Sequence, residues 1–319
     1  MSRIRTLAVA AAAGALVLQA APSWAYPERE ITMIVPFGAG GSTDIVGRIA
    51  AQALAERLGV PVVVDNRGGA GGTVGTQYAA QAQPDGYTIT VATTSTHVVG
   101  PLTVDSVRYD PLEDFAHIGM IAETPYVLTV NPGLGAGSVQ ELIDLAKAQP
   151  GDLNYGSAGQ GSTTHLASLM FLAAADIEME HIPYGSNAEA TTALMGDEVQ
   201  VLVGSMPAVL AQIQAGSIDA LAVGTLERSA ELADVPTMQE AGVEGYRASL
   251  WLGLAAPAGT PDDVIATLSA ALNDALTDPA VREQLASNGA DPAAMSPSEF
   301  RDLIGSELDV YGAIVEAMN

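Results

Sequence analysis

The stretch ITMIVPFGAGGSTD, residues 31–44, joins an apolar strand to a helix through a glycine-rich turn. Gly38, Gly40 and Gly41 let the backbone approach a ligand without a Cβ atom in the way. The helix that follows would direct free N–H groups and the positive end of its dipole toward the same place. The stretch therefore predicts a seat for a carboxylate or a phosphate, although a plain strand-to-helix connection accounts for it equally well.

Two further strands follow in the same alternating order. Val60–Val64 is an apolar run before a second glycine cluster, Gly68–Gly72, and Tyr87–Ala92 ends before the hydroxyl-rich residues Thr93–His97. Helical patterns separate these strands. Strand, helix, strand, helix and strand within residues 30–92 predict a doubly wound α/β unit, in which ligands bind at the carboxyl edge of the sheet.

The same arrangement of strand, glycine-rich turn and helix occurs a second time further along the chain. A short strand leads into the glycine- and serine-rich turn Gly156–His165, and a helix follows the turn. Ile118–Ala122 and Tyr126–Val130 are predicted as two strands, and the apolar run Ser249–Ala256 as a strand that crosses back to the first unit. From Pro261 onward the pattern predicts successive helices that start at or next to prolines.

The N-terminus has the pattern of a secretory signal peptide. Arg3 and Arg5 precede the apolar run Leu7–Leu18, and Ser23-Trp24-Ala25 places small residues at the two positions that determine cleavage. We expect residues 1–25 to be removed and the mature chain, from Tyr26, to be periplasmic. An uncleaved anchor is the alternative, but the apolar run is shorter than the ~20 residues of a spanning helix. No direct membrane insertion is expected after cleavage.

The charge balance excludes several classes of partner. The chain has 37 acidic and 12 basic residues, a net charge of −25, and Lys147 is its one lysine. Nucleic acids and anionic membranes bind basic patches, so neither is an expected partner. The chain has no cysteine, which excludes disulfides, thiol chemistry and cysteine-bound metals.

Motifs of catalysis and cofactor binding are missing from the sequence. No lysine stands in a glycine-rich loop, as a phosphate-binding P-loop requires, and Thr43 and Val74 occupy the places of the third glycine of a dinucleotide fingerprint. No G-x-S-x-G nucleophile elbow is present. The four histidines lack the spacing of a zinc site. We therefore predict no enzyme, no cofactor and no metal.

Several loops combine little charge with many glycines and hydroxyl groups, which suits binding without reaction. For His97 and His165, contact with a ligand and a structural role inside the loop are equally good interpretations. Tyr184 could line a cleft or fill a core, and Asp44 fits a first-turn helix residue that answers the dipole. Trp251 is expected in the core or at a hinge.

The chain resembles the extracytoplasmic solute receptors of tripartite tricarboxylate transporters, the Bug or TctC-type binding proteins. The matching motifs run in family order over nearly the whole mature chain. They are Tyr26-Pro27, VPFGAGGSTD (35–44), VDNRGGAGG (64–72), PDGYT (84–88), NYGSAGQGS (154–162) with His165-Leu166, IPY (182–184), ALAV (220–223), DVPT (234–237) with EAG (240–242), and APAGTP (256–261).

The resemblance implies an α/β, two-domain, type II periplasmic-binding-protein fold with a ligand cleft between the domains. Domain 1 would comprise residues 26–128 and 247–319, and domain 2 residues 129–246. The protein would be a monomer that closes by hinge motion on a small carboxylate and delivers it to the membrane transporter subunits. The resemblance implies no arginine salt bridge to the ligand. The candidate ligand-binding residues are Phe37, Gly38, Ala39, Gly40, Gly41, Ser42, Thr43, Asp44, Thr94, Ser95, Thr96, His97, Ser157, Ala158, Gly159, Gly161, Ser162, Thr163, His165, Tyr184, Gly204, Ser205 and Met206.

Two segments depart from the pattern of the family. After Tyr184 the family commonly has a lysine, where this chain has Gly185-Ser186-Asn187. Before Pro207 it commonly has an aromatic residue and Asp or Asn, where this chain has Gly204-Ser205-Met206. These small and apolar groups argue against an amino-acid ligand and favour a dicarboxylate or an aromatic carboxylate. The alternatives are an exported hydrolase or lyase that acts on an acidic substrate, and a sensor partner that presents the bound acid to a signalling receptor.

Overall fold

The computed structural model describes residues 26–318, so the predicted signal peptide lies outside the described residues. The strands are β1 (Ile31–Val35), β2 (Val62–Asn66), β3 (Thr88–Thr93), β4 (Phe115–Val130), β5 (Asn154–Ser157), β6 (Glu180–Pro183), β7 (Val201–Ser205), β8 (Asp219–Val223), β9 (Ser249–Pro257) and β10 (Asp291–Met295). The helices are α1 (Ser42–Leu58), α2 (Thr73–Ala80), α3 (Gly100–Thr103), α4 (Val139–Ala148), α5 (Thr163–Ala175), α6 (Asn187–Met195), α7 (Met206–Gln214), α8 (Asp262–Thr277), α9 (Pro279–Ala286) and α10 (Pro297–Met318).

One sheet runs through the described residues in the strand order β2-β1-β3-β9-β4-β7-β5-β6, with β8 and β10 also paired to β4. β1 is parallel to β2 and to β3, and β5 is parallel to β6 and to β7. These are the parallel α/β units that the alternating pattern predicts. Apolar side chains such as Met33, Val46 and Ile89 are fully buried between the first sheet segment and its helices.

Strand β4 belongs to both halves of the sheet. Its first part pairs antiparallel with β9 as far as Pro125, opposite Ser249. From Tyr126 to Val130 the same strand pairs with β7 and β8 instead. The sequence predicts two strands here because Glu123-Thr124-Pro125 interrupts the apolar run. The structure continues through the interruption because β9 supplies a hydrogen-bonding partner on one side, so the prediction of two strands is wrong.

The C-terminal part differs from the prediction in one element. Helices α8, α9 and α10 begin beside Pro261, at Pro279 and at Pro297, as predicted. Between α9 and α10, however, Asp291–Met295 forms β10 and pairs with β4. Local pattern missed it because the segment contains Pro292 and two alanines, which favour strand weakly. Within residues 26–318, no helix combines the length and the apolar character that crossing a bilayer demands.

Candidate ligand-binding site

The candidate site lies where the carboxyl ends of strands from the two halves of the sheet face one another. We call the turns that follow β1, β2 and β3 the first wall, and the turns that follow β5, β6 and β7 the second wall. Helices α1, α5 and α6 begin in these walls. Carboxyl ends of parallel strands gather at one edge, so each wall collects several loops.

The first wall exposes the backbone at the start of α1. Gly40 has φ +80°, a left-handed conformation that favours glycine. Gly41 is the N-cap of α1 and supplies no side-chain cap. The first-turn N–H groups of α1 are therefore not bonded by a capping side chain and can bind an anion.

Asp44 holds the first wall in shape. Its carboxylate accepts hydrogen bonds from Gly40 N (2.9 Å), Arg48 Nε (2.9 Å) and Asn66 Nδ2 (2.9 Å). Burial would raise the pKa of the Asp44 carboxyl, but the bonds from Arg48, Gly40 and Asn66 outweigh it and lower the pKa. Asp44 is therefore a buried anion with its own partners, and it stabilises the glycine turn.

The second wall presents the N-terminus of α5. Ser162 caps this helix by accepting a hydrogen bond from His165 N at 3.2 Å. Thr163 and Thr164, the first two helical residues, are buried, and Thr164 Oγ1 accepts a hydrogen bond from Ala158 N at 2.9 Å within this wall. Ser157 Oγ shares a 2.7 Å hydrogen bond with His181 Nε2 and accepts one from Gly159 N at 3.1 Å.

The N-terminus of α6 lies beside that of α5. Ser186 caps α6 by accepting from Glu189 N at 3.2 Å. Asn187, the first helical residue, is 6% exposed and donates from Nδ2 to Ser205 Oγ at 2.8 Å. The starts of three helices, one from the first wall and two from the second, thus meet at one place.

A cavity of about 20 Å³ lies between these helix starts, with room for about one or two water molecules. None of the side chains that line it is charged, and eight of them belong to Ser, Thr, Tyr or Asn. Hydroxyl groups, amides and helix N-termini therefore create its electrostatic character. Its lining consists of Phe37, Gly41, Ser42, Thr43, Thr93, Ser95, Tyr126, Ala158, Thr163, Thr164, Asn187 and Leu250.

The two walls touch one another directly. Thr163 N donates to Ser95 Oγ at 2.8 Å, and the two hydroxyl groups are also 2.8 Å apart. Gly38 N donates to Gly185 O at 3.3 Å. The Tyr126 hydroxyl, at the point where β4 changes partners, bonds to Thr163 Oγ1. The two walls are therefore in direct contact on both sides of the cavity.

Part of the predicted site lies at the cavity. Phe37, Gly41, Ser42, Thr43, Ser95, Ala158 and Thr163 line it. Their role in binding stays a prediction, and so does that of the candidates outside the lining. These are Gly38, Ala39, Gly40, Asp44, Thr94, Thr96, His97, Ser157, Gly159, Gly161, Ser162, His165, Tyr184, Gly204, Ser205 and Met206.

Five lining residues were not among the candidates: Thr93, Tyr126, Thr164, Asn187 and Leu250. Tyr126 and Leu250 stand in apolar strands, where sequence gives no means of separating a cavity wall from a core. Thr164 follows a predicted residue and Thr93 precedes another, so a wider window around each motif would have included them. Asn187 lies in the segment Gly185-Ser186-Asn187, which departs from the family pattern, and no other feature of the sequence pointed to it.

Two histidines near the site lie in the core of the first half of the protein. His97 is fully buried, with its ring 4.7 Å from that of Phe115 and 6.3 Å from that of His117. Burial, with the neighbouring His117, holds the pKa of His97 well below its ordinary value. His97 is therefore a neutral side chain that packs among aromatic rings, and its contact with a ligand stays a prediction.

His117 should make the protein sensitive to acid. Burial and the charge of Arg301 lower the pKa of His117 to about 4, against the opposing effect of the Pro111 carbonyl. A depressed pKa means that the unfolded chain takes up the proton first, so stability is complete above pH ~6.5 and is lost as the pH falls toward 4. Between pH 7 and pH 4 the free energy of unfolding should fall in both proteins, but the fall should be about 3 kcal/mol smaller in His117→Gln than in the unchanged protein. Urea unfolding at both pH values measures this, and identical losses would contradict it.

His165 forms part of a stack behind the second wall. Its ring lies 4.0 Å from that of His181, with 13° between the planes, and the ring of Tyr155 lies 5.0 Å from that of His181 and 6.3 Å from that of His165. Burial and His181 lower the pKa of His165 to about 4. The stack supports the turn at Gly161, whose N–H points to His165 Nδ1 at 3.4 Å.

Comparison with known proteins identifies the family. The family model described as tripartite tricarboxylate transporter family receptor, TctC, matches residues 46–319. The chain belongs to this family. A relative of this TctC-family chain, protein BugT of Bordetella pertussis, is 38% identical over 291 residues, which are 91% of this chain and 89% of that protein. The resemblance found in the sequence motifs is thus confirmed.

Solved structures show the same fold as this TctC-family receptor. The periplasmic binding protein BugD is 33% identical, with a TM-score of 0.89 over 92% of this chain and 98% of that chain. R. palustris Rpa4515, solved with adipate, is 33% identical, with a TM-score of 0.89 over 91% and 97% of the two chains. MatC (Rpa3494) from Rhodopseudomonas palustris, with bound malate, is 29% identical, with a TM-score of 0.87 over 91% and 100%.

These findings confirm the predicted two-domain periplasmic-binding-protein fold of the TctC-family chain. Its homologues are solute-binding receptors, so the protein is a receptor of the tripartite tricarboxylate transporter type and not an enzyme. The predicted hydrolase or lyase alternative is thereby set aside.

Proposed function

We propose that this receptor captures a small dicarboxylate between its two walls and delivers it to the membrane subunits of a tripartite tricarboxylate transporter. One observation carries the proposal. The starts of α1, α5 and α6 meet at a cavity that has no charged side chain in its lining. Helix N-termini bind anions through N–H groups and the dipole, and no cation is needed.

The distribution of these donors favours two carboxylates over one. The start of α1 lies in the first wall, and the starts of α5 and α6 lie in the second. A ligand with an anionic group at each end can use both walls and draw them together. Adipate and malate, the ligands of two of the similar structures, are dicarboxylates. An aromatic monocarboxylate is the second candidate, because Phe37 and Leu250 give the cavity apolar surface.

Ligand capture in this proposal requires hinge motion. The domains we propose are residues 26–128 with 247–319, and residues 129–246. The change of partner strand at Tyr126 in β4, together with the start of β9 at Ser249, supports boundaries near these positions. Two crossing strands side by side form a hinge that bends without unpairing the sheet.

A thermal-shift screen tests the proposed ligand class. We expect dicarboxylates to raise the melting temperature by about 5 °C or more at 100 times Kd, because binding to the folded form alone contributes about 2.7 kcal/mol. Monocarboxylates, tricarboxylates, aromatic acids and inorganic phosphate form the other arms, all at matched ionic strength. A melting temperature that no dicarboxylate changes would refute the proposal. Scattering with the best acid should show a smaller radius of gyration than without it.

A further inference from the structure

The two segments that depart from the family pattern contact each other in the folded protein. Asn187, at the start of α6, donates from Nδ2 to Ser205 Oγ at 2.8 Å, and Ser205 is the last residue of β7. Both residues are buried, with 6% and 0% of their surface exposed. Because Nδ2 of Asn187 is bonded to Ser205, the oxygen Oδ1 is the edge of this amide that remains for another partner.

The other edge of this amide has no partner. Asn187 Oδ1 is buried and accepts no hydrogen bond from any residue among 26–318. A buried acceptor without a donor costs about 1–3 kcal/mol, which makes such atoms rare in folded proteins. Asn187 also lines the cavity between the walls. The missing donor is therefore expected from whatever molecule enters that cavity.

From this geometry we infer that Asn187 selects an acid that carries a hydroxyl group beside a carboxylate. A carboxylate alone cannot satisfy Oδ1, since both are acceptors and repel each other. A hydroxyl group on the ligand donates to Oδ1 while the neighbouring carboxylate takes the N–H groups at the helix starts. The inference rests on the proposed function, and it narrows the ligand from dicarboxylates in general to hydroxy-dicarboxylates.

An ammonium group fits this position less well than a hydroxyl group. A buried ammonium needs a carboxylate partner, and the cavity lining contains neither Asp nor Glu. The nearby carboxylates are engaged: Asp44 accepts from Gly40, Arg48 and Asn66, and Glu189 accepts from Gly185 N at 3.0 Å. Asn187 therefore distinguishes hydroxy acids from both plain acids and amino acids.

Matched pairs of acids test the inference by calorimetry on the mature full chain. The pairs are succinate and malate, glutarate and 2-hydroxyglutarate, and adipate and 2-hydroxyadipate. In the unchanged protein the hydroxy member of the best-binding pair should bind at least about tenfold more tightly. Asn187→Ala should bring the two members within about threefold, because plain-acid affinity is retained and the hydroxyl contribution is lost. Asn187→Leu, closer in volume, repeats the test in case the alanine variant unfolds.

Two control variants separate the amide from its surroundings. Ser205→Ala leaves Asn187 in place but removes the bond that orients it, so the preference should shrink without vanishing. Thr192→Ala, on the exposed side of α6, should leave the preference unchanged. Circular dichroism and melting temperature show whether each variant folds.

The possible outcomes show separately whether the inference or the proposed function is wrong. Equal binding of the two members by the unchanged protein overturns the inference and leaves the dicarboxylate proposal standing. Equal weakening of both members in Asn187→Ala also overturns it, because the amide would then donate to the carboxylate. Tighter binding of aspartate than of malate overturns the preference for a hydroxyl group. Binding of no member of any pair refutes both.

Discussion

Replacing Ser42 by aspartate is expected to weaken dicarboxylate binding about a thousandfold. Ser42 is the first residue of α1, is 3% exposed and lines the cavity. A carboxylate there would stand within about 4 Å of a bound carboxylate, and two like charges at that distance repel by about 4 kcal/mol at an effective dielectric constant near 20. That energy corresponds to about three powers of ten in Kd.

Ser42→Asn is the matched control for this substitution. Asparagine has the shape of aspartate without its charge, so steric effects are shared and the difference between the two variants measures charge alone. The ligand-free aspartate variant should melt no lower than the asparagine variant, because an acidic residue in the first turn of α1 favours the helix dipole. Calorimetry with the best acid gives both Kd values, and equal affinities would show that no anion binds at the start of α1.

Gly71→Leu is expected to raise Kd on the order of 10–100-fold by holding the walls apart. Gly71 belongs to the turn after β2, and a Cβ atom there would lie 2.9 Å from Gln160 O and 3.0 Å from Gly161 C and Ser162 N across the cleft. These neighbours are backbone atoms that cannot move aside, and overpacking of this kind costs about 1–3 kcal/mol. The strain disappears in the open form, so the substitution should favour opening. Scattering should show a larger radius of gyration than that of the unchanged protein.

Gly216→Leu controls for the backbone conformation at this position. Gly216 has φ +69°, close to the +64° of Gly71, but nothing lies within 4 Å of its Cβ position. A side chain in the left-handed region therefore destabilises both variants by a similar amount, but only in Gly71→Leu does the new side chain lie between the two walls. If Gly216→Leu weakens ligand binding as much as Gly71→Leu, general destabilisation and not wall contact explains the effect.

The sequence predicts the local parts of the fold well, because their signals are local. The apolar run Ile31–Val35, the glycine turn and the start of α1 at Ser42 follow from burial, backbone freedom and helix geometry. Helix α6, Asn187–Met195, likewise has local end signals, because Ser186 caps its start and Gly196 follows its last residue. Strand β10 was missed because its residues gain a strand conformation only through pairing with β4.

The composition of the site depends on contacts between distant segments, which a local pattern does not contain. Thr163 reaches Ser95 and Tyr126 only after both halves of the sheet have formed. Ligand contact of Gly204 and Met206 stays a prediction; in the structure Met206 packs in a buried cluster and Ser205 bonds to Asn187 of the cavity lining. Sequence thus located the turns, while the fold decided which side chains face inward.

The pairing of β4 with β9 also sets the order in which the chain can reach its native form. Pro125 pairs with Ser249, so more than 120 residues separate partners in this central part of the sheet. Loop-closure entropy must be overcome before such a pair gains its hydrogen bonds, and long-range strand pairing is correspondingly slow. We therefore expect the inserted residues between these strands to gain structure first and to shorten the effective loop. Refolding would then finish with the pairing of β9 with β4, the step that also forms the proposed hinge.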